Sequence, residues 1–503
     1  MHAGSEADEP AGTVQRSAVH ERAYSLLRAR LIDGQLTPGQ TILAGEMAAS
    51  MSLSLTPVRE AIQRLIGEGA LEPLPNGNVR VRIFSEKQLD EWWVIRTLLE
   101  SLAIARAAER ADKSRLQEIA AVNRAANAAL DAEDVIEFGR LNRAFHFQCY
   151  DLAGSPILSD LIAGLWEKAG PYIVMAIPAY IRAHVSGQDR PLMAPHEEIL
   201  SALDDGDGAR AMIALRRDIG MTAKWKTDAV ARLMQEAVAK LGAVAGPGRL
   251  ISIGLLGGDE VDGRPDVFQR SASRSATIPA PRQRRRTAQT KACLAIRQAL
   301  IAGRFLPGEH ITVRTLCDET GLGAMPVREA LREVTSEGVL EKLENGRLRV
   351  RILSESDRRD LQDLRLLLEA VAAAAAVQSA RPGILARVSR IRERMGAAVI
   401  AGDAAELRSQ RHAFMEALCE GSGLDVLCEV LGRLWLLSGP SDALQAREAQ
   451  PERLLDRVDA VLASLKLGDM SAALRAFAER EEGPAPAIGP LHSDGWAMSE
   501  GDR

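Results

Sequence analysis

The chain carries one pattern twice, and any fold it adopts must accommodate both copies. Residues 34–86 open on Gly34 and Pro38-Gly39. They continue through Pro57-Val58-Arg59-Glu60-Ala61, Glu68-Gly69, Leu71-Glu72 and Asn76-Gly77 to Arg80-Val81-Arg82-Ile83. Residues 303–355 repeat it with Gly303, Pro307-Gly308, Pro326-Val327-Arg328-Glu329-Ala330, Glu337-Gly338, Leu340-Glu341, Asn345-Gly346 and Arg349-Val350-Arg351-Ile352. The offset is 269 at every landmark (303 − 34, 326 − 57, 345 − 76). Two long units at one fixed offset are a duplication, not the short stacked repeats of a solenoid.

Each unit divides into a head and a body. In the first head, Ala23, Leu26, Leu27 and Leu31 recur at helical spacing over His20–Ile32, and Gly34 stops the helix. A short helix over Leu43–Met51 is predicted next, then a third from Ser54 or Leu55 to about Gly69. Pro57 lies in that helix's first turn, where a missing N–H costs nothing. Asn76-Gly77 predicts a hairpin between Leu71–Leu74 and Val79–Ile83. Alternation sets Val79, Val81 and Ile83 against Arg80 and Arg82, and Leu348, Val350 and Ile352 against Arg349 and Arg351. Three helices followed by a two-stranded hairpin make a winged helix-turn-helix. The bodies are runs of amphipathic helix, for which an antiparallel bundle is the natural fold.

The expected fold class is therefore mostly α, with two winged helix-turn-helix heads, each followed by a helical bundle. The expected boundaries are a disordered N-terminus (1–15), head 1 (16–85), body 1 (86–239) and a flexible linker (240–288). Head 2 (289–354), body 2 (355–482) and a disordered tail (483–503) complete the chain. The linker ends in the basic cluster Arg282, Arg284, Arg285 and Arg286. At about 50 residues it reaches roughly 35–42 Å root-mean-square, enough for the two units to pair within one chain.

Charge separates the parts. The whole chain is at −5. Residues 16–82 hold eight Arg and Lys against six Asp and Glu, and residues 282–351 hold fourteen against eight. Local positive charge is what phosphate contact needs. Five scattered cysteines without metal-finger spacing, no signal-like apolar stretch and no run of membrane-spanning length point to a cytoplasmic protein with no membrane partner.

The blocks Gly-x-Leu-x-Pro-Gly, Thr-Pro-Val-Arg-Glu-Ala and Glu-Gly-x-Leu resemble the GntR family of bacterial transcription regulators. The bodies resemble the ligand-binding domain of its FadR/FCD subfamily. The resemblance implies a DNA-binding regulator, a repressor by family habit and not an enzyme, whose partners are a double-stranded operator and a small carboxylate effector. It implies further that two units pair, here within one chain, with further homo-oligomers open. The N-terminal residues of a recognition helix enter the major groove. The expected DNA contacts are Ser52, Ser54, Thr56 and Arg59 in head 1 and Arg328 in head 2. Arg314, on the preceding helix, and the wing residues Arg80, Arg82, Arg349 and Arg351 are added. Many relatives carry an arginine just before the Thr-Pro pair; here Leu55 and Ala324 stand there.

Body 1 holds a second constellation, Asn142-Arg-Ala-Phe145-His146, His196 and Asp218, with intervals of 50 and 22 residues (196 − 146, 218 − 196). The FCD pattern spaces a metal-binding acid and three histidines alike, with Asn142 and Asp218 here in place of an acid and a histidine. Asn142, His146, His196 and Asp218 are thus candidate ligands for Zn²⁺, Mn²⁺ or Ni²⁺. In body 2 their counterparts are Arg411, Met415, Val458 and Arg480, a set that cannot bind a divalent cation. Two rival readings use the same residues: a metal-dependent enzyme acting on a small carboxylate, or a protein-interaction scaffold with relict heads.

Overall fold

The computed structural model describes residues 11–74, 76–185, 193–222, 288–343, 346–379, 381–445 and 451–478. Of the expected disordered N-terminus (1–15), residues 1–10 lie outside the described residues, as do most of the linker with its basic cluster, Asn345, Arg480 and the tail; residues 11–15 are instead helical, because the first helix begins earlier than His20.

Head 1 is built from α1 (Ala11–Ile32), β1 (Thr41–Ile42), α2 (Ala44–Met51), α3 (Leu55–Gly67), β2 (Leu71–Pro73) and β3 (Val79–Val81). Head 2 repeats it as α10 (Ala288–Ile301), β4 (His310–Ile311), α11 (Val313–Thr320), α12 (Ala324–Ser336), β5 (Leu340–Lys342) and β6 (Leu348–Val350). The wing has three strands rather than two, in the orders β1-β3-β2 and β4-β6-β5. The added strand is two residues long and pairs antiparallel with the hairpin, Thr41 opposite Arg80 and His310 opposite Arg349. So short a strand has too little periodicity to register in sequence.

The turn between the last two helices needs a left-handed residue. Head 2 supplies Gly321 at φ +67°, while head 1 forces Ser52 into φ +54°, a conformation that L side chains adopt at a cost. Ala23, Leu27, Leu31, Val58, Ala61, Leu65 and Val81 close the core of head 1.

Body 1 comprises α4 (Glu86–Ala108), α5 (Lys113–Asp131), α6 (Val135–Asp151), α7 (Pro156–Val185), α8 (Ala194–Asp204) and α9 (Gly208–Thr222). Body 2 comprises α13 (Glu355–Ser379), α14 (Ile384–Ala401), α15 (Ala404–Ser422), α16 (Asp425–Gln445), α17 (Pro451–Leu467) and α18 (Met470–Ala478). Ser85 starts α4 through a capping box with Gln88. That helix is then buried on nearly every face from Glu91 to Ala108, as a central helix must be. Its counterpart α13 is buried without interruption from Leu367 to Val377.

Each head is docked to its body by a glycine. A Cβ at Gly170 of α7 would lie 2.5 Å from the Ile32 backbone at the end of α1, and one at Gly439 of α16 would lie 2.5 Å from Ile301. The two positions differ by 269. Only glycine admits helix backbones this close. Arg28 of α1 pairs with Glu167 of α7, Asp33 with Arg143 at 3.3 Å, and the Phe84 amide donates to the Tyr172 hydroxyl at 2.8 Å.

The units also touch one another. Helix α4 packs on α16, α7 on α13, and α3 on α12. Lys87 Nζ donates to the Gly423 carbonyl at 2.5 Å, the Val426 amide donates to Glu91 at 3.1 Å, and Arg106 reaches Asp360 at 2.9 Å. A Cβ at Gly164 would meet Arg433, its own counterpart, at 3.3 Å. Gly69 faces Lys168 and Glu429, while their counterparts Gly338, Leu437 and Asp160 line one small pocket. These contacts interchange the two units, the pattern of an isologous interface.

Candidate functional site

In each head the exposed stripe of the third helix begins at its first turn. Ser52, Ser54, Thr56 and Arg59 are exposed, as are Arg314 and Arg328. Among the described residues Arg59, Arg314 and Arg328 have no ion pair. Their charge is therefore available to an external anion. Three of the four wing arginines are engaged within the heads. Arg80 pairs with Glu72 at 2.6 Å and Arg349 with Glu341 at 2.7 Å, both across the hairpin. Arg82 lies over the Phe84 ring at 5.0 Å and reaches the Gly69 carbonyl at 3.4 Å. Arg351 lines the pocket between the units.

In body 1 three helices converge. His146 comes from α6, His196 from the first turn of α8 and Asp218 from α9, with their ligand atoms all within 4.8 Å of one another. His146 Nε2 lies 3.1 Å from Asp218 Oδ2, and His196 Nε2 lies 3.4 Å from Oδ1. Both imidazoles are almost fully buried, and the His196 ring stacks on Phe145 with centroids 4.0 Å apart. Asn142 stands one turn before His146, half-buried.

Hydrogen-bond partners set the tautomers. His196 Nδ1 meets the Asn123 Oδ1 at 2.9 Å. A carboxamide oxygen only accepts, so Nδ1 carries the proton. Nε2, buried and without a hydrogen-bond partner, is left with its lone pair directed into the site. His146 Nδ1 lies 3.3 Å from the Tyr150 hydroxyl, which donates its own proton to Glu100 at 2.7 Å. The Tyr150 oxygen therefore accepts from Nδ1–H, and His146 Nε2 also presents a lone pair. Two imidazole lone pairs beside a carboxylate repel one another unless a cation lies between them, so the donor set fits a divalent metal. Burial lowers the His196 pKa against the pull of Asp218, favouring the neutral ring that a metal needs. Burial would raise Asp218, and protonated imidazoles facing it would outweigh burial and hold the carboxyl well below its usual range, so the cluster calls for a positive charge at its centre, a ring proton or a cation.

Sequence reasoning missed the outer layer. Glu100 also accepts from Trp166 Nε1 at 2.7 Å and pairs with Arg96, whose guanidinium lies 4.1 Å from the Trp166 ring centroid. The signal was present: Arg96, Glu100 and Trp166 recur as Arg365, Glu369 and Trp435 at the same offset. In body 2 Trp435 donates to Glu369 at 2.8 Å, and Arg365 is pinned further by Ser438 and Asp442. Met415 and Val458 are buried where the two histidines stand in body 1.

Residues 19–81 and 289–350 match the family model described as bacterial regulatory proteins, gntR family, and residues 91–220 and 360–480 match the FCD domain. The HTH-type transcriptional regulator McbR of Escherichia coli (strain K12) is 32% identical over 194 residues, covering 37% of this chain and 84% of that protein. A probable D-xylose utilization operon transcriptional repressor of Paenarthrobacter nicotinovorans is 28% identical over 212 residues, 42% of this chain and 90% of that protein. Among solved structures, E. coli McbR/YncC aligns at 28% identity and TM-score 0.37, covering 40% of this chain and 93% of its own. Among the described residues no helix is long and apolar enough to cross a membrane.

Proposed function

The chain belongs to the GntR family of bacterial transcription regulators, with an FCD domain behind each DNA-binding head, and we propose that its two units act as a pseudo-dimer within one polypeptide. In this reading both heads engage one operator, and body 1 alone senses a small carboxylate. The interchanged contacts between the units carry the proposal: Gly164 meets Arg433, and the Gly69–Glu429 contact is mirrored by Gly338 and Asp160. Arg59, Arg314 and Arg328 supply phosphate or base contacts, with Ser52, Ser54 and Thr56 at the groove in head 1. Arg80, Arg82, Arg349 and Arg351 contribute mainly by shaping the wings. Repression follows if bound heads block transcription.

His146, His196 and Asp218, with Asn142 as a fourth donor, would hold Zn²⁺, Mn²⁺ or Ni²⁺. Such a cation supplies the fixed positive charge that a carboxylate needs inside a bundle. Tyr150 and Asn123 orient the two imidazoles. A physical route then leads outward: Tyr150 and Trp166 share Glu100, and Glu167, next on α7, grips Arg28 of head 1. In unit 2 the counterparts of Tyr150 and Glu167 are Cys419 and Leu436, so this route exists only in unit 1. An effector that favours one head arrangement shifts the population toward it.

The test combines gel shift with light scattering, using duplexes drawn from the region upstream of its own gene. One chain per duplex is expected, with affinity falling steeply as salt rises. Two chains per duplex would refute the pseudo-dimer, and no binding at low salt, with or without zinc, would refute the regulator reading.

A further inference from the structure

The outward stripe of each recognition helix carries methyl groups where bidentate hydrogen-bond donors commonly read bases. In head 1 the first exposed positions of α3 are Leu55 and Thr56; in head 2 those of α12 are Ala324 and Met325. Val58 and Ala61, or Val327 and Ala330, turn inward and fill the cores, while these leading side chains lie outside them. Leu55 is 38% exposed and Met325 68%. Scattered surface apolar residues are ordinary. These two stand at the start of the third helix of each head, one turn from Arg59 and Arg328, exposed cations that would bring the same face to a polyanion.

We infer, on the premise that the heads read DNA, that Leu55 and Met325 select thymine through its C5-methyl group in the major groove. Thymine alone presents an apolar group on that floor; the other bases present only donors and acceptors. A leucine or methionine pressed against guanine O6/N7 or cytosine N4 strips those atoms of water and offers no hydrogen bond in return, which disfavours them. Against a thymine methyl the same side chain buries apolar surface on both partners.

The heads differ in how far they depend on this contact. Ser54 precedes α3, and its hydroxyl makes no capping bond, so it remains free to meet a base or phosphate beside the Thr56 hydroxyl. Gly323 holds the equivalent place before α12 and has no side chain. At the start of the recognition helix, half-site 2 is therefore met by methyl groups without a hydroxyl, beside Arg314 and Arg328, and half-site 1 by a mixture of methyl and hydroxyl groups.

Duplexes selected by the whole chain from a random library supply the probe. Each selected duplex is remade with deoxyuridine for thymidine in one half-site at a time, which removes only the methyl groups. Burial of one methyl-sized group sets the expected loss at about fourfold in affinity per methyl, larger in one half-site than in the other. Met325→Ser should abolish the uracil effect in the more sensitive half-site and leave the other intact, and Leu55→Ser should do the converse. Both positions are exposed, so the heads keep their cores. Uracil duplexes bound within 1.5-fold of thymine duplexes would overturn the inference while leaving the DNA-reading premise standing. Failure to select any duplex would remove both.

Discussion

Replacing Asn123 by leucine tests whether the body 1 cluster is a metal site or merely a buried polar knot. Asn123 is almost fully buried, and its only described side-chain hydrogen bond is the 2.9 Å contact to His196 Nδ1. Leucine has the same number of side-chain heavy atoms with the same branch at Cγ, so no cavity opens. The His196 ring then loses the acceptor that holds its proton on Nδ1. Left alone, a buried unsatisfied N–H costs about 1–3 kcal/mol. The ring has an escape, because the proton can move to Nε2, which lies 3.4 Å from Asp218 Oδ1, and recover part of that cost. The metal-free variant should therefore lose under about 2 kcal/mol of stability, the middle of that range. The escape consumes the lone pair that would bind the cation. Loss of such an orienting partner commonly costs about 10–100-fold in metal affinity, which corresponds to about 1.4–2.7 kcal/mol. The assay is competitive zinc titration alongside thermal melts with and without chelator. Asn123→Asp keeps an acceptor for Nδ1 and should bind zinc at least as tightly as the parent. A folded Asn123→Leu protein that binds zinc within threefold of the parent would refute the tautomer argument.

Three further outcomes follow from particular residues. Ser52→Gly relieves the left-handed strain that Gly321 avoids in head 2 and should stabilise head 1 by up to about 1 kcal/mol, measured by urea denaturation; Gly321→Ser should act in the opposite sense. Gly170→Ala drives a methyl group into the Ile32 backbone and should cost about 1–3 kcal/mol by overpacking, read as faster hydrogen exchange where α1 meets α7, with the head 1 core still protected. Thiol reagents should modify the half-buried Cys317 and Cys428 in the native protein and spare Cys149, Cys293 and Cys419 until unfolding; burial pushes the Cys293 thiol up to about 12 and Cys149 higher still, while a hydrogen bond with Cys428, and then burial, raises Cys419. Rapid native labelling of Cys149 would contradict that packing.

Much of the architecture is legible from residue order because its signals are local. Glycines at turns, Pro57 in a first turn, Asn76-Gly77 and the 269-residue offset each act within a few residues of chain, and together they predict two winged heads and two helical bodies. The cluster of His146, His196 and Asp218 was legible for another reason: the intervals of 50 and 22 residues match the spacing of the FCD pattern, even though the residues meet only after folding. The third wing strand was not legible, since two residues hold no periodicity and their pairing is made from a distance.

What residue order could not carry is which charges remain free and which lone pairs point where. Arg59 and Arg80 look alike in the chain; only the paired strands reveal that Arg80 faces Glu72 while Arg59 stands open. Asn123 and Tyr150 are unremarkable until α5 and α6 bring them to the imidazoles and fix which nitrogen holds the proton. The contacts between the units, from Gly164 at Arg433 to α3 at α12, likewise depend on surfaces assembled from residues far apart. Local sterics and periodicity are written along the chain, whereas electrostatic pairing and desolvation belong to the packed molecule, because both depend on distances that exist only once the helices have come together.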